Sequence, residues 1–120
     1  MRQLTGKRVL VVEDEPIVAM CLEDILTDLG CEVVGPAYSL PQGLAQAEDG
    51  RIDAAILDVN LGPDTSLALA DALAARAVPI VFATGYGHTL GPTAVAAEVL
   101  SKPYTAAEIN DALVRALQGG

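Results

Sequence analysis

The sequence has 120 residues, 52% of them hydrophobic but only 3% aromatic, enough for one domain with a core of Ala, Val, Leu and Ile. Its formal net charge of −9 excludes a basic face for nonspecific nucleic-acid or anionic-membrane binding. No apolar run approaches the ~20 residues of a bilayer span. The N-terminal MRQLTGKRVLVV meets acidic residues at once, with no small-residue cleavage site, so the expected location is the cytoplasm.

Lys7 to Val12 (KRVLVV) is a continuous Val-rich run, the pattern of a strand buried on both faces. From Pro16 to Leu29 the apolar residues Ile17, Met20, Cys21, Ile25, Leu26 and Leu29 recur at helical spacing, and Gly30 closes that helix. Glu32 to Gly35 (EVVG) is a short strand, and Ser39 to Glu48 a helix with Ser39 as its N-cap. Asp53 to Leu57 (DAAIL) is a strand. Asp64 to Arg76 is an Ala/Leu helix capped by Asp64 or Thr65, and Pro79 to Ala83 is a strand. Val99 to Leu100 is a short strand before Ser101-Lys102-Pro103. Thr105 to Leu117 is the last helix, opened by a T-A-A-E capping box. Cys21 and Cys31 have neither CxxC nor metal-ligand spacing and are read as buried small apolar residues.

Five strands alternating with helices imply an α/β fold, a parallel sheet covered on both faces, and a single domain over residues 1–120 with no room for a separate DNA-binding domain. Sites in such sheets form beyond the carboxyl ends of the strands. The residues there are Glu13, Asp14 and Glu15 after the first strand, and Asp58, Val59 and Asn60 after the third. Thr84 and Gly85 follow the fourth, and Lys102 and Pro103 the fifth. Singly, each has an ordinary reading: a solvated or capping Asp, a helix-start Glu15, a Thr-Gly turn, a Lys-Pro approach to a helix. Together they gather carboxylates, one hydroxyl and one ammonium. Clustered carboxylates resist ionising together, and a hard cation such as Mg²⁺ relieves this. One carboxylate oxygen is left as a nucleophile toward a phosphoryl group, while lysine and hydroxyl stabilise the phosphoryl oxygens.

In VVEDEP (11–16), ILDVNLG (56–62), FATG (82–85) and SKP (101–103) the chain resembles the receiver domain of two-component response regulators over essentially its whole length. The resemblance implies a doubly wound five-stranded sheet of order 2-1-3-4-5, the flavodoxin-like receiver fold. It implies that Asp58 accepts phosphate from a histidine kinase, and that the chain is no turnover enzyme beyond its own phosphorylation and dephosphorylation. Mg²⁺ would be held by Asp14, by Glu13 through water, by Asp58 and by the backbone carbonyl of Asn60. Lys102 would contact the phosphoryl group, and Thr84 would be the switch hydroxyl.

Three features depart from the common receiver pattern. Glu13 stands where Asp is commoner. Val99 stands three positions before Lys102, where receivers usually carry an aromatic switch residue. The fourth helix, expected near His88 to Glu98, contains Gly91 and Pro92, which oppose a regular helix. FATGY without the aromatic resembles the FAT GUY subgroup, whose partner kinases are often of the HWE or related HisKA type and whose output is a protein contact or phosphate competition. With no ring to swing at Val99, the expected signalling element is Gly85 to Ala97, acting through a face of Leu90, Val95 and Tyr104; the alternative is a plain surface loop. His88 is read as solvated or structural rather than a ligand. Among rivals, a flavin-binding protein needs a Ser/Thr/Gly-rich loop where this chain has EDEP. A haloacid-type phosphatase needs a second Asp where Asn60 stands. A pseudo-receiver, binding partners without phosphate, is opposed by the intact Asp14, Asp58, Thr84 and Lys102.

Overall fold

Successive side chains of a strand point to opposite faces of a sheet, and this chain supplies apolar residues to both. In a computed structural model that describes residues 4–48, 51–61, 64–84, 98–101 and 104–119, the strand β1 (Arg8–Val12) turns Val9 and Val11 to one face and Leu10 and Val12 to the other. Strand β3 (Ala54–Asp58) does the same with Ala54 and Ile56 against Ala55 and Leu57. All of these are nearly inaccessible to water. One face packs on α1 (Pro16–Asp28) and α4 (Ala106–Gly119) through Leu22, Leu26, Ile109 and Leu113. The other packs on α2 (Leu40–Ala47) and α3 (Leu67–Ala75) through Ala47, Leu69 and Leu73. At about 1.5–3 kcal/mol for each large apolar side chain buried, these two layers supply most of the drive to fold.

The main sheet also contains β2 (Glu32–Ala37), β6 (Ile80–Thr84) and β7 (Glu98–Ser101). Its order is β2-β1-β3-β6-β7, with every pairing parallel. Counting only these five strands, that is 2-1-3-4-5, as expected. The carboxyl ends of β1 and β3 lie side by side because Val12 pairs with Leu57. No helix among the described residues is long and apolar enough to cross a membrane.

Two of the three expected caps are present, those at Ser39 and Thr105. The Gln42 backbone N–H donates to Ser39 Oγ at 3.3 Å. At α4 the box closes reciprocally, Glu108 N–H to Thr105 Oγ1 at 3.2 Å and Thr105 N–H to Glu108 Oε1 at 2.9 Å.

Four expectations are corrected. First, α3 begins at Leu67 rather than Asp64. Asn60–Leu61 (β4) and Asp64–Thr65 (β5) pair as a small antiparallel ladder, and the Ser66 N–H donates to Val59 O at 2.9 Å. The backbone of 64–65 is committed to this ladder before the helix can start. Second, β2 does not stop at Gly35 but continues through Pro36 to Ala37, with a register shift against β1 between Leu10 and Val12. Third, the buried stripe of α1 is Ala19, Leu22 and Leu26, with Ile17 and Met20 exposed. The stripe through Ile17 and Cys21 runs on into Asp24 and Asp28, whereas that through Ala19, Leu22, Leu26 and Leu29 stays apolar to the end of the helix. Fourth, Cys21 therefore lies on the outside, while Cys31 is buried and its thiol is pushed up by that burial.

Gly35 enables the extension of β2. Its φ of +95° suits glycine, and a Cβ there would stand 2.8 Å from the Ala37 backbone N and 3.2 Å from Val11 O. Gly35→Ala should therefore lower stability by about 1–3 kcal/mol in chemical denaturation. A variant as stable as the parent would show that the backbone at 35 is not constrained by β1.

Candidate functional site

The sheet register assembles the site. Glu13 follows β1 and Asp58 ends β3, on adjacent parallel strands. On the other side of β3, Asp58 pairs with Ala83, so Thr84 lies one residue further along β6. Thr84 in turn pairs with Ser101, the last residue of β7, and Lys102 is next in the chain. From the opposite side, the extended β2 reaches the site: the Glu13 N–H donates to Ala37 O at 2.9 Å. The extra length of β2 thus anchors the backbone of the first acidic residue.

Glu13 is 1% exposed and Asp58 7%, and Asp14 is partly buried. One carboxylate oxygen from each of Glu13, Asp14 and Asp58 lies within 4.8 Å of the others. The Glu15 N–H donates to Glu13 Oε1 at 3.2 Å, next to the Pro16 start of α1, where the partial positive charge of a helix N-terminus favours carboxylates. Two unit charges ~4 Å apart still repel by about 4 kcal/mol at an effective dielectric constant of about 20. A hard divalent cation at this cluster would offset the repulsion.

The donor set fits Mg²⁺. It is all oxygen, and oxygens around Mg²⁺ stand about 2.0–2.1 Å from the ion, hence about 3–4 Å from one another. The three carboxylates need little adjustment to reach that arrangement. Magnesium also keeps several waters, which suits a site open on the side of the partly buried Asp14.

The structure brings Glu13, Asp14 and Asp58 together as the spacing suggested. It places the backbones of Asn60, in β4, and Thr84, at the end of β6, on the same edge. Their side chains, together with Lys102, His88 and the whole of 85–97, lie outside the described residues. The expected fourth helix falls there too, except Glu98, which opens β7 and pairs with Arg115 of α4 at 2.8 Å. Val99 is 49% exposed, so no apolar side chain enters the sheet edge at the usual aromatic position.

Tyr104 was not among the expected site residues. Its ring is half-buried against the α1/α4 core layer. Its hydroxyl oxygen is buried and has no hydrogen-bond partner among the described residues. Burial first, and then the negative charge of Glu13, Asp58, Cys21 and Glu15, push the phenol well above its ordinary range. The signal was the aromatic residue directly after Ser101-Lys102-Pro103, which composition alone marks only as core.

Comparison with known proteins agrees with this geometry. The family described as response regulator receiver domain matches residues 9–114. The chain is 31% identical over 114 residues to the phyllosphere-induced regulator PhyR of Methylorubrum extorquens, covering 91% of this chain and 43% of that one. It is 31% identical over 83 residues to the transcriptional regulatory protein PdtaR of Mycobacterium tuberculosis, covering 68% of this chain and 40% of that one. The chain thus spans less than half the length of these curated relatives. Among solved structures, SdrG from Sphingomonas melonis Fr1 superimposes with a TM-score of 0.79 at 44% identity, over 93% of this chain and 97% of that one. The receiver domain of a sensor histidine kinase from Pseudomonas aeruginosa PAO1 has a TM-score of 0.80 at 26% identity, over 95% of this chain and 99% of that one. Its structure has a magnesium ion coordinated in the active site cleft.

If the three carboxylates hold the cation, Mg²⁺ should raise the thermal midpoint. The stabilisation should be about 2.7 kcal/mol at a free concentration of about one hundred times Kd. Asp14→Ala should remove that increment at constant ionic strength. An increment unchanged in the variant would place the cation elsewhere.

Proposed function

Because the chain belongs to the response regulator receiver domain family, whose members work with histidine kinases and downstream partners in two-component signalling, we propose that it is a phosphoacceptor. Asp58 takes a phosphoryl group from a kinase phosphohistidine in a Mg²⁺-dependent step. The observation that carries this reading is the convergence of the Glu13, Asp14 and Asp58 carboxylates within 4.8 Å at the ends of two adjacent parallel strands.

In the proposed step, a carboxylate oxygen of Asp58 attacks phosphorus. The P–N bond to the kinase imidazole breaks, its electron pair stays with the ring nitrogen, and an acyl phosphate forms on Asp58. Glu13, Asp14, Asp58 and the Asn60 carbonyl are the residues assigned to the cation, which when bound neutralises charge on the phosphoryl oxygens. Lys102 and the Thr84 hydroxyl are assigned to the same oxygens as further charge-stabilising groups. Asn60, unlike a carboxylate, cannot take a proton from an attacking water as a general base. The sequence order D-V-N therefore favours a phosphoryl group that persists as a signal over rapid turnover.

The cytoplasm is where such a chain meets the catalytic part of a kinase. The FATGY motif and the exposed Val99 support a kinase of the HWE or HisKA type and an output through protein contact. On α1, Ile17 and Met20 stand exposed within two turns of the acidic residues, an apolar surface for a partner to cover during transfer.

An acyl-phosphate donor with Mg²⁺ should label the protein with acid-labile, hydroxylamine-sensitive phosphate, and Asp58→Asn should reduce that label to background. Equal labelling of parent and variant would move the site. No labelling of the parent by donor or kinase would instead mark a receiver that acts without phosphate.

A further inference from the structure

The small ladder between β3 and α3 fixes the direction of one backbone carbonyl. In an antiparallel pair, residues that exchange both N–H···O bonds alternate with residues whose N–H and C=O groups turn away from the partner strand. Here Leu61 pairs with Asp64, and Asn60 with Thr65. Beyond Asn60 and Thr65, the Ser66 N–H donates to Val59 O at 2.9 Å. That bond exists only if Asn60 and Thr65 face each other without bonding directly, because the opposite alternation would turn the Val59 carbonyl away from Ser66. The N–H and C=O of Asn60 therefore turn away from β5. Val59 is gripped from two sides, its N–H donating to Ala83 O at 3.1 Å and its carbonyl accepting from Ser66. The side chains of Val59 and Leu61, on either side of Asn60, are buried in the core layer of α2 and α3. Packing and hydrogen bonds together leave the Asn60 peptide little freedom to rotate. Two residues of chain reach at most ~7 Å, so this carbonyl, turned off the ladder, stays close to the backbone of Asp58 at the end of β3.

A ladder of two residue pairs is too short to stabilise itself, and joining β3 to α3 does not require one. Its effect is on orientation. We propose that the β4–β5 hairpin is a positioning element of the acidic site: the Ser66 backbone N–H, by holding the Val59 carbonyl, aims the Asn60 carbonyl at the divalent cation. This rests on the assignment of Glu13, Asp14, Asp58 and the Asn60 carbonyl to the cation in the proposed function. Magnesium demands near-ideal octahedral geometry. A neutral carbonyl brings no net charge to the ion, so its contribution depends on arriving already oriented, with the ordering cost met in folding. Groups that do not touch a metal commonly orient those that do, and here the orienting group is a backbone amide. Ser66 is also the N-cap residue of α3, so one amide links the start of that helix to the site.

Replacing Ser66 by its α-hydroxy acid turns the amide into an ester, which deletes the N–H, leaves the side chain in place and should keep the fold. The same exchange at Ala77, whose N–H donates to Ala74 O at 2.9 Å beyond the far end of α3, removes a comparable bond away from the site. With Mg²⁺ alone as the probe, the ester at 66 should raise Kd about threefold to tenfold, the effect of about one net hydrogen bond. The ester at 77 should lower the thermal midpoint and leave Kd as in the parent. Of the two asparagines, Asn60 and Asn110, only Asn60 precedes a leucine. Asparagine labelled with ¹³C at the backbone carbonyl and leucine with ¹⁵N therefore give one correlated signal, that of Asn60–Leu61. In the parent its carbonyl resonance should move along the binding isotherm. A Kd unchanged by the ester at 66 overturns the proposal and marks a purely structural hairpin. A Kd raised equally by both esters overturns it as well, as does a stationary Asn60 carbonyl while Mg²⁺ binds. Asp14→Ala separates the two levels. If it abolishes binding while the ester at 66 leaves Kd intact, only the hairpin assignment fails. If Asp14→Ala binds as tightly as the parent, or the parent does not bind, the reading of the acidic site fails and this proposal with it.

Discussion

Mutual repulsion among Glu13, Asp14 and Asp58 is the constraint that organises this molecule. Their oxygens come within 4.8 Å of one another, with Glu13 and Asp58 almost wholly shielded from water. Nothing in three isolated carboxylates favours such an arrangement. It exists because the pairing of Val12 with Leu57 fixes the ends of β1 and β3 side by side, and because two apolar layers hold that register. A one-residue slip of β1 against β3 would turn every apolar side chain of the strand to the wrong face. The cost of sliding the core is what keeps the charges together.

The surroundings of the cluster lessen the repulsion from several sides. The start of α1 brings backbone N–H groups and the positive end of a helix to Glu13. The prolonged β2 accepts the Glu13 amide through Ala37, and Gly35 is the residue whose backbone makes that prolongation fit. These contacts place dipoles around the carboxylates, and a clustered all-oxygen donor set of this kind suits a divalent cation.

Much of this was legible in the chain, for identifiable reasons. Val-rich runs buried on both faces and separated by helical spacing can form little but a parallel sheet, and the residues after each run then define its functional edge. The capping signals at Ser39 and Thr105 read correctly because each cap is a local geometry set by residues three apart. The failures share a cause in longer range. β2 was cut at Gly35 because glycine usually ends a strand, and only the neighbouring β1 shows that it can continue. Asp64 and Thr65 looked like helix caps because their ladder partners, Asn60 and Leu61, reveal themselves only when the chain turns back. On α1 the apolar residues at helical spacing fell on two faces: Ile25, Leu26 and Leu29 meet the core, whereas Ile17 and Met20 share the exposed side with Asp24 and Asp28.

In the proposed function Asp58 receives a phosphoryl group beside a cation held by Glu13, Asp14 and Asp58. A crystal structure of the protein with Mg²⁺ and beryllofluoride, a mimic of the phosphoryl group, tests it most directly. Beryllium should bond to an Asp58 carboxylate oxygen, with one magnesium ion ligated by Asp14 and Asp58 and joined to Glu13 directly or through water. A mimic bound to any other side chain, or a magnesium ion away from these carboxylates, would contradict it.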